Sequence, residues 1–185
     1  MTPRIVLAAE PLGHGPTALR PWRDSDRPAL VAACQDPEIA RWTRVPSPYG
    51  DGDARLYLQQ RHDALDAGFS APYAIVDAVD DHRLLGSISL MRFVWEHDRA
   101  QVGYWLAREA RGTGHALRAL RLISRWGFEA LGLERIELLT AAANTASQRT
   151  AERAGFSREA LLRSYFAHNR DRYDMIAYGL LAAET

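Results

Sequence analysis

The stretch Arg111-Gly112-Thr113-Gly114-His115-Ala116 decides the fold of this 185-residue chain. It follows an apolar, strand-like segment at residues 102–106 and opens an amphipathic, helix-like segment at residues 117–128. Glycines let the backbone approach a ligand closely, and the first amides of a helix have no partner inside the helix. Those amides and the helix dipole together favour an anion. The unit therefore predicts a site for a phosphorylated cofactor.

The composition is that of one folded domain without a bias towards nucleic acid or membrane. The chain is 47% hydrophobic, and its 23 basic and 23 acidic residues give a formal charge of zero. A neutral chain is not steered towards nucleic acid or anionic lipid. The short apolar start is unlike a secretory signal, and no apolar run reaches the ~18 residues of a membrane-spanning helix. We therefore expect a cytoplasmic protein with neither nucleic acid nor membrane as partner.

Cysteine and histidine usage favours neither disulfide nor metal chemistry. Cys34 is the only cysteine, so no intrachain disulfide is available, and we expect its thiol to be a small buried group. The six histidines are scattered and lack the His-x-x-x-His spacing of many metal sites. We therefore expect no metal.

Periodicity and turn residues predict a single mixed α/β domain at residues 17–185, after an irregular arm at residues 1–16. Helices are predicted at about residues 25–34, 37–42, 53–67, 117–128 and 145–154. Strands are predicted at residues 17–22, 72–79, 84–94, 100–106, 135–140, 156–166 and 173–181. A polar turn around residues 168–171 is predicted to join the last two strands.

Several motifs, in this order, resemble the GNAT N-acyltransferase superfamily, whose signature is Arg/Gln-x-x-Gly-x-Gly/Ala. The motifs are Arg111-x-x-Gly114-x-Ala116, Asn144-x-x-Ser147 and the closing Gly155-Phe156. Within the superfamily, the branch of ribosomal-protein N-terminal acetyltransferases is indicated by Gly103-Tyr104-Trp105-Leu106, Arg163, Asn169 and Asp174. The resemblance covers residues 19–181. It implies a central, mostly antiparallel twisted sheet of six or seven strands, splayed in the middle and flanked by helices on both faces.

The resemblance also implies that acetyl-CoA binds as the acyl donor. The pyrophosphate would be held at Arg111 and by the backbone amides of Gly112, Thr113, Gly114, His115 and Ala116. The pantetheine arm would pair like an added strand with the edge formed by Tyr104, Trp105 and Leu106. Asn144 would reach the pantetheine, and Ser147 would lie near the sulfur. We expect the basic face of the following helix to be solvated, with a phosphate contact by Arg118 as the alternative.

The implied chemistry is direct attack of an amine on a thioester, without a covalent enzyme intermediate. An alkyl ammonium has a pKa near ~10, so a base must take its proton or the neutral form must be selected. We expect a backbone N–H at Tyr104 or Leu106 to stabilise the oxyanion. Many relatives carry a tyrosine where this chain has Ala151. Ser147, four residues earlier, is therefore expected either to protonate the leaving thiolate or only to position the cofactor.

The base and the acceptor are the least determined parts of the site. Glu96 is our candidate base, because it ends a strand near the expected acceptor mouth; His97, Tyr165, His168 and a relayed water are alternatives. The acceptor is expected to be a primary amine on a small molecule or a protein N-terminus, and the enzyme a monomer or homodimer. In the loop at residues 44–53, Asp51 and Asp53 either attract a cationic amine or cap a helix.

Two further functions remain open at this point. Use of succinyl-CoA would need another cation near the thioester, for which Arg92, Arg99 and Arg163 are candidates. The missing tyrosine at Ala151 leaves open an acyl-CoA-binding sensor or partner module without turnover. A P-loop nucleotide site is excluded, because no Gly-Lys-Ser/Thr ends the turn.

Overall fold

The computed structural model describes residues 4–168 and 171–185. The strands are β1 (Leu12–His14), β2 (Thr17–Arg20), β3 (Ser70–Asp77), β4 (Leu84–Val94), β5 (Arg99–Leu106), β6 (Arg135–Ala141), β7 (Ser157–His168) and β8 (Asp171–Leu181). The α-helices are α1 (Arg27–Ala33), α2 (Pro37–Trp42), α3 (Asp51–Asp66), α4 (His115–Leu131) and α5 (Thr145–Ala154). Asn169 and Arg170, in the predicted polar turn, lie outside the described residues.

All eight strands belong to one open sheet in the order β1–β2–β3–β4–β5–β6–β8–β7. Every neighbouring pair is antiparallel except β5 and β6, which are parallel. The predicted fold class, a mixed α/β domain with a mostly antiparallel sheet between helices, is confirmed. Among the described residues, no helix combines the length and apolar character needed to cross a membrane.

The arm predicted to be irregular contains the additional strand. Leu12 pairs with Leu19 and His14 with Thr17, so β1 and β2 form a tight hairpin around Gly15, whose φ is +55°. Ile5, further upstream, is 4% exposed and packs into the main core. The prediction of an irregular segment at residues 1–16 was wrong here, because Gly15 and Pro16 form the hairpin turn rather than interrupting structure.

Each face of the sheet carries its own apolar core. On one face α4 contributes Leu120, Ile123 and Trp126, and the indole of Trp126 meets the ring of Tyr73 edge-on at 5.4 Å between centroids. On the other face α1 and α3 bury Leu30 and Leu58. Alternation along the strands divides their side chains between these two cores.

A buried ion pair fixes α1 to the sheet. The guanidinium of Arg20 donates to both carboxylate oxygens of Asp26 at 2.8 and 2.6 Å, and to the carbonyl of Asp81 at 2.7 Å. Arg20 is 1% exposed and Asp26 is 3% exposed. Because both charges are satisfied, the pair holds the residues just before α1 against β2 and the β3–β4 turn.

The sheet splits between β5 and β6. Residues 99–102 of β5 pair with residues 135–138 of β6, and the ladder ends at Val102 and Leu138. Beyond that point β5 remains paired with β4 as far as Leu106, and β6 remains paired with β8 as far as Ala141. The two strands therefore diverge while each keeps its other neighbour, which leaves an unpaired main-chain edge facing a gap.

Candidate active site

A cavity of about 800 Å³ opens at this gap. One side, the gap wall, is drawn from residues 102–116 and 138–150 at the ends of β5 and β6, the glycine turn and the start of α5. The opposite side, the helix wall, is drawn from residues 38–61 in α2, the following loop and α3. The β7–β8 hairpin completes the mouth with Phe166, Tyr173 and Met175. The gap wall, which carries the sequence motifs, and the helix wall, which carries no recognised motif, thus face each other across one cavity.

The glycine turn presents bare main-chain amides to the cavity. Gly112 and Gly114 have φ values of +77° and +82°, in the left-handed region that favours glycine. Gly114 is the N-cap of α4, and no side chain in the described part of the chain caps that helix. Its first N–H groups therefore stay available, and the positive end of the helix dipole lies beside them.

Arg118 braces the turn from behind. Its Nη2 donates to the carbonyl of Thr113 at 2.7 Å, and its Nε donates to the hydroxyl of Thr17 at 2.9 Å. His115 Nδ1 lies 2.8 Å from the same hydroxyl. Burial and the nearby Arg118 lower the pKa of His115, and the tautomer of its imidazole sets which partner of the Thr17–His115 hydrogen bond donates. Arg118 is therefore not simply solvated: it holds the shape of the turn and adds positive charge to it.

Arg111 joins the turn to the end of β5 and to the α1–α2 loop. Its Nη2 donates to the carbonyl of Leu106 at 2.9 Å and lies 2.8 Å from a carboxylate oxygen of Asp36. Asp36 in turn accepts from the amide of Glu38 and so caps α2. The side chain of Arg111 is thus occupied by structural contacts, and the main chain beside it is the part left for a ligand.

Two hydroxyls meet inside the gap. The phenol oxygen of Tyr104 lies 3.1 Å from Ser147 Oγ, and burial raises the pKa of Tyr104. Ser147 donates its amide to Asn144 Oδ1 at 3.0 Å, so Asn144 caps α5 while its Nδ2 has no acceptor among the described residues. Ala151 is fully buried in the core. The predicted pair Asn144 and Ser147 therefore does line the gap, and the Tyr104 phenol is a second hydroxyl beside Ser147.

The side chain of Tyr104 lines the gap beside Ser147, a placement that the sequence analysis missed. It was assigned only through its backbone, although strand alternation places it with Val102 and Leu106 on the face covered by α4 and α5. Trp105 points to the other face and packs with the core beneath α3. Alternation was therefore the available signal.

The structure does not bring Glu96 to the cavity. It lies exposed in a short 3-10 turn, Trp95–His97, where β4 passes into β5, and the gap begins only at Val102. Tyr165 is 51% exposed, and His168 Nε2 contacts the carbonyl of Ala40 at 3.0 Å. Neither these residues nor Glu96 and His97 belong to the described lining. The hairpin connection carries Glu96 away from the end of β5 where the motifs converge.

The aspartates of the helix wall act as caps and ion-pair partners. Asp51 pairs with Arg27 at 2.7 Å, and Asp53 accepts from the amide of Gly50 at 2.8 Å at the start of α3. The arginines considered for a succinyl group, Arg92, Arg99 and Arg163, are not among the described residues that line the cavity. Arg99 instead pairs with Glu137 at 3.1 Å. The described residues contain no cluster of three or more metal-ligating side chains.

Comparisons with known proteins agree with this geometry. The model of the acetyltransferase (GNAT) domain family matches residues 17–157. The chain belongs to this family and is an N-acetyltransferase, as the motifs predicted. It is 28% identical over 170 residues to YoaA of Bacillus subtilis, named as an uncharacterized N-acetyltransferase; the match covers 88% of this chain and 92% of that protein.

Two further comparisons concern ribosomal-protein acetyltransferases. The chain is 35% identical over 104 residues to YdaF of Bacillus subtilis, provisionally named a ribosomal N-acetyltransferase; the match covers 56% of this chain and 57% of that protein. RimL, a ribosomal L7/L12 alpha-N-protein acetyltransferase solved in complex with coenzyme A, superimposes with a TM-score of 0.81 at 19% identity. That superposition covers 95% of this chain and all of RimL, and it shows a common fold.

Proposed function

We propose that this enzyme transfers the acetyl group of acetyl-CoA to a primary amine by direct attack within a ternary complex. One observation carries the proposal: the free edge of β5 beyond Val102 and the uncapped start of α4 border the same cavity. A strand edge suits the amides of a pantetheine arm, and bare helix amides suit a pyrophosphate. Few other elongated ligands need both features at once.

Main-chain groups would carry most of the donor's binding. The amides of Gly112, Thr113, Gly114, His115 and Ala116 would hold the pyrophosphate, with the guanidinium of Arg118 behind them. The edge at Tyr104, Trp105 and Leu106 would pair with the pantetheine, and Asn144 Nδ2 is free to donate to it. RimL, which shares the fold, was solved with coenzyme A, and this supports the assignment.

The bound thioester supplies an electrophilic carbonyl and a leaving thiolate. The amine nitrogen forms the new bond to the acetyl carbon as the carbon–sulfur bond breaks. A main-chain N–H at the end of β5 would stabilise the oxyanion. The proton that the thiolate needs would come from Ser147, with Tyr104 beside it as a second donor that its raised pKa keeps protonated at neutral pH. The amine proton would leave to water: of the carboxylates in the described lining, Glu38 has a pKa lowered by hydrogen bonds from Trp42 and Arg41, and Asp53 is held at the start of α3 by the Gly50 amide.

For the acceptor, we propose a peptide N-terminus or a small amine entering along the helix wall. The cavity mouth between α2, α3 and the β7–β8 hairpin is open to solvent, so a peptide could enter by its end. The names of YdaF and RimL support a protein N-terminus.

Mass spectrometry of an amine and peptide panel incubated with acetyl-CoA tests the proposal. The protein should add 42 Da to at least one acceptor at a rate that Gly114→Trp abolishes, because a side chain at φ +82° is strained and its Cβ would lie 3.0 Å from the Arg118 guanidinium, so the turn cannot keep its shape. Gly132→Trp is the matched control, since Gly132 also has a positive φ, +65°, at the other end of α4, and a side chain there meets nothing within 4 Å. Acetyl-CoA binding without transfer to any acceptor would instead indicate a module without turnover.

A further inference from the structure

Charge on the helix wall is unevenly balanced. Arg41 pairs with Glu38 at 3.2 Å, and Asp53 is engaged by the Gly50 amide. Arg44 and Arg61 also line the cavity, yet neither has a carboxylate within 4.0 Å among the described residues. Their guanidinium groups lie instead over aromatic rings, Arg44 over Phe166 at 5.4 Å and Arg61 over Tyr57 at 4.7 Å. The wall thus offers two arginines that form no ion pair with a described carboxylate, while the charges of Asp53 and Arg61 both act on Tyr49.

Two buried donors on this wall have no partner. Tyr49 is 5% exposed, and no described residue forms a hydrogen bond with its hydroxyl; the same is true of the buried Nε–H of Arg61. A buried donor without an acceptor is costly, and native proteins rarely leave one. Tyr49 and Arg61 are both residues of the cavity lining, and the hydroxyl and the Nε–H can both donate. An oxygen acceptor with negative charge would satisfy them together.

The position of Arg61 in α3 relates it to the end of β5 that borders the gap. Tyr57 lies one helical turn before Arg61, and its hydroxyl is 2.9 Å from Ser87 Oγ. Ser87 is the strand partner of Trp105, and the next partners on the same face are Ser89 and Gly103. Arg61 therefore belongs to the side of the β4–β5 pair that carries Ser87 and Trp105, while Tyr104 reaches the same cavity from the other face of the sheet.

We propose that Arg61 and Tyr49, with Arg44 towards the mouth, form an anion subsite that selects amines carrying a carboxylate a few bonds from the amino group. An acidic peptide N-terminus and a small amino acid share this chemistry, and polycations such as spermidine are disfavoured. The inference rests on the proposed function and names the substrate class of the same site. An amine substrate without a carboxylate would leave the Tyr49 hydroxyl and the Arg61 Nε–H unpaired and should therefore be disfavoured.

Paired acceptors test the subsite. Ser-Asp-Ala-Ala amide is compared with Ser-Asn-Ala-Ala amide, and γ-aminobutyrate with butylamine, so that peptide and small-molecule sources are distinguished. The protein should prefer the acidic member of at least one pair by about tenfold or more in kcat/KM, the range for a hydrogen-bonded charge. Arg61→Gln should remove this preference by raising the KM for the acidic acceptor. The kcat/KM for the neutral acceptor should stay nearly unchanged. Tyr49→Phe should reduce the preference partially.

Arg41→Gln is the control variant, because Glu38 already neutralises that charge and the preference should survive. Equal rates for both members of both pairs, or an equal loss for both in Arg61→Gln, would overturn the subsite while amine acetylation itself stands. If Arg61→Gln instead abolishes use of succinyl-CoA and spares acidic acceptors, the anion belongs to the donor and the proposal is wrong. Calorimetric titration of the protein–CoA complex with the two peptides tests the subsite even without turnover. We expect the acidic peptide to bind more tightly than the neutral one, and Arg61→Gln to remove this difference.

Discussion

The two walls of the cavity offer a ligand different kinds of group. The gap wall offers main-chain groups, the amides of the turn and the edge of β5, and its side chains serve as braces: Arg118 behind the turn, Arg111 beside it and Asn144 at the start of α5. The helix wall offers side chains, among them Tyr49 and Arg61, on helices and a loop. Main-chain recognition depends on backbone shape and tolerates sequence change, whereas side-chain recognition changes with each residue.

The strongest way to disturb this contrast is to loosen α1, whose Leu30 shares a core with Leu58 of α3 in the helix wall. Arg20→Met leaves Asp26 buried without its cation and should lower the free energy of unfolding by about 3–5 kcal/mol. Thermal denaturation measures the loss, and Arg23→Met, at a partly exposed pair, is the control expected to lose less than 1 kcal/mol. A small effect of Arg20→Met would show that α1 is held by apolar packing instead.

Removing the hydroxyl pair should affect catalysis without affecting binding. Because thiolate is a good leaving group, Tyr104→Phe with Ser147→Ala should lower kcat by about 10–100-fold, near the lower end of general-acid effects, with the KM for acetyl-CoA nearly unchanged. Steady-state kinetics of both single variants and the double variant give the coupling. If both hydroxyls can be lost with no change in kcat, the thiolate leaves unassisted and the pair only shapes the gap.

The brace behind the turn offers a finer test. Arg118→Gln loses the bond to the Thr113 carbonyl and a charge near the proposed pyrophosphate, so acetyl-CoA binding should weaken by about 5–20-fold. Arg121→Gln, on an exposed part of the same helix, should bind normally. Acceptor preference should be identical in both variants; a change in acceptor preference would mean that the two walls are not independent.

The smallest expected effect is a pH dependence at the turn. The pKa of His115 in the folded protein lies below its ordinary 6.5. At a pH between the folded-state pKa and 6.5, the unfolded chain therefore binds a proton that the folded protein does not. Folding stability should therefore fall as the pH drops through 6.5, and the fall should be shallower in His115→Gln. Parallel slopes in thermal denaturation from pH 7.5 to 5.5 would show that His115 contributes nothing to it.

The contrast between the walls also explains what the sequence could predict. Gly114 and the apolar strand before it predict the turn, because a left-handed backbone conformation at the start of a helix strongly favours glycine. Asn144 and Ser147 were assigned through the family resemblance that the Asn144-x-x-Ser147 motif carries. The partners of Tyr49 and Arg61 depend on how α3 and a loop pack across the sheet, and no local pattern encodes that. Glu96 failed as a candidate because position at a strand end does not say which end faces the gap.

Calorimetric titration with acetyl-CoA of the parent protein, Gly114→Trp and Arg61→Gln tests the central claim most directly. The account predicts that the parent and Arg61→Gln bind with the same affinity, while folded Gly114→Trp shows no binding. Binding that survives in Gly114→Trp, or that is lost in Arg61→Gln, would contradict the assignment of the donor to the main chain of the gap wall.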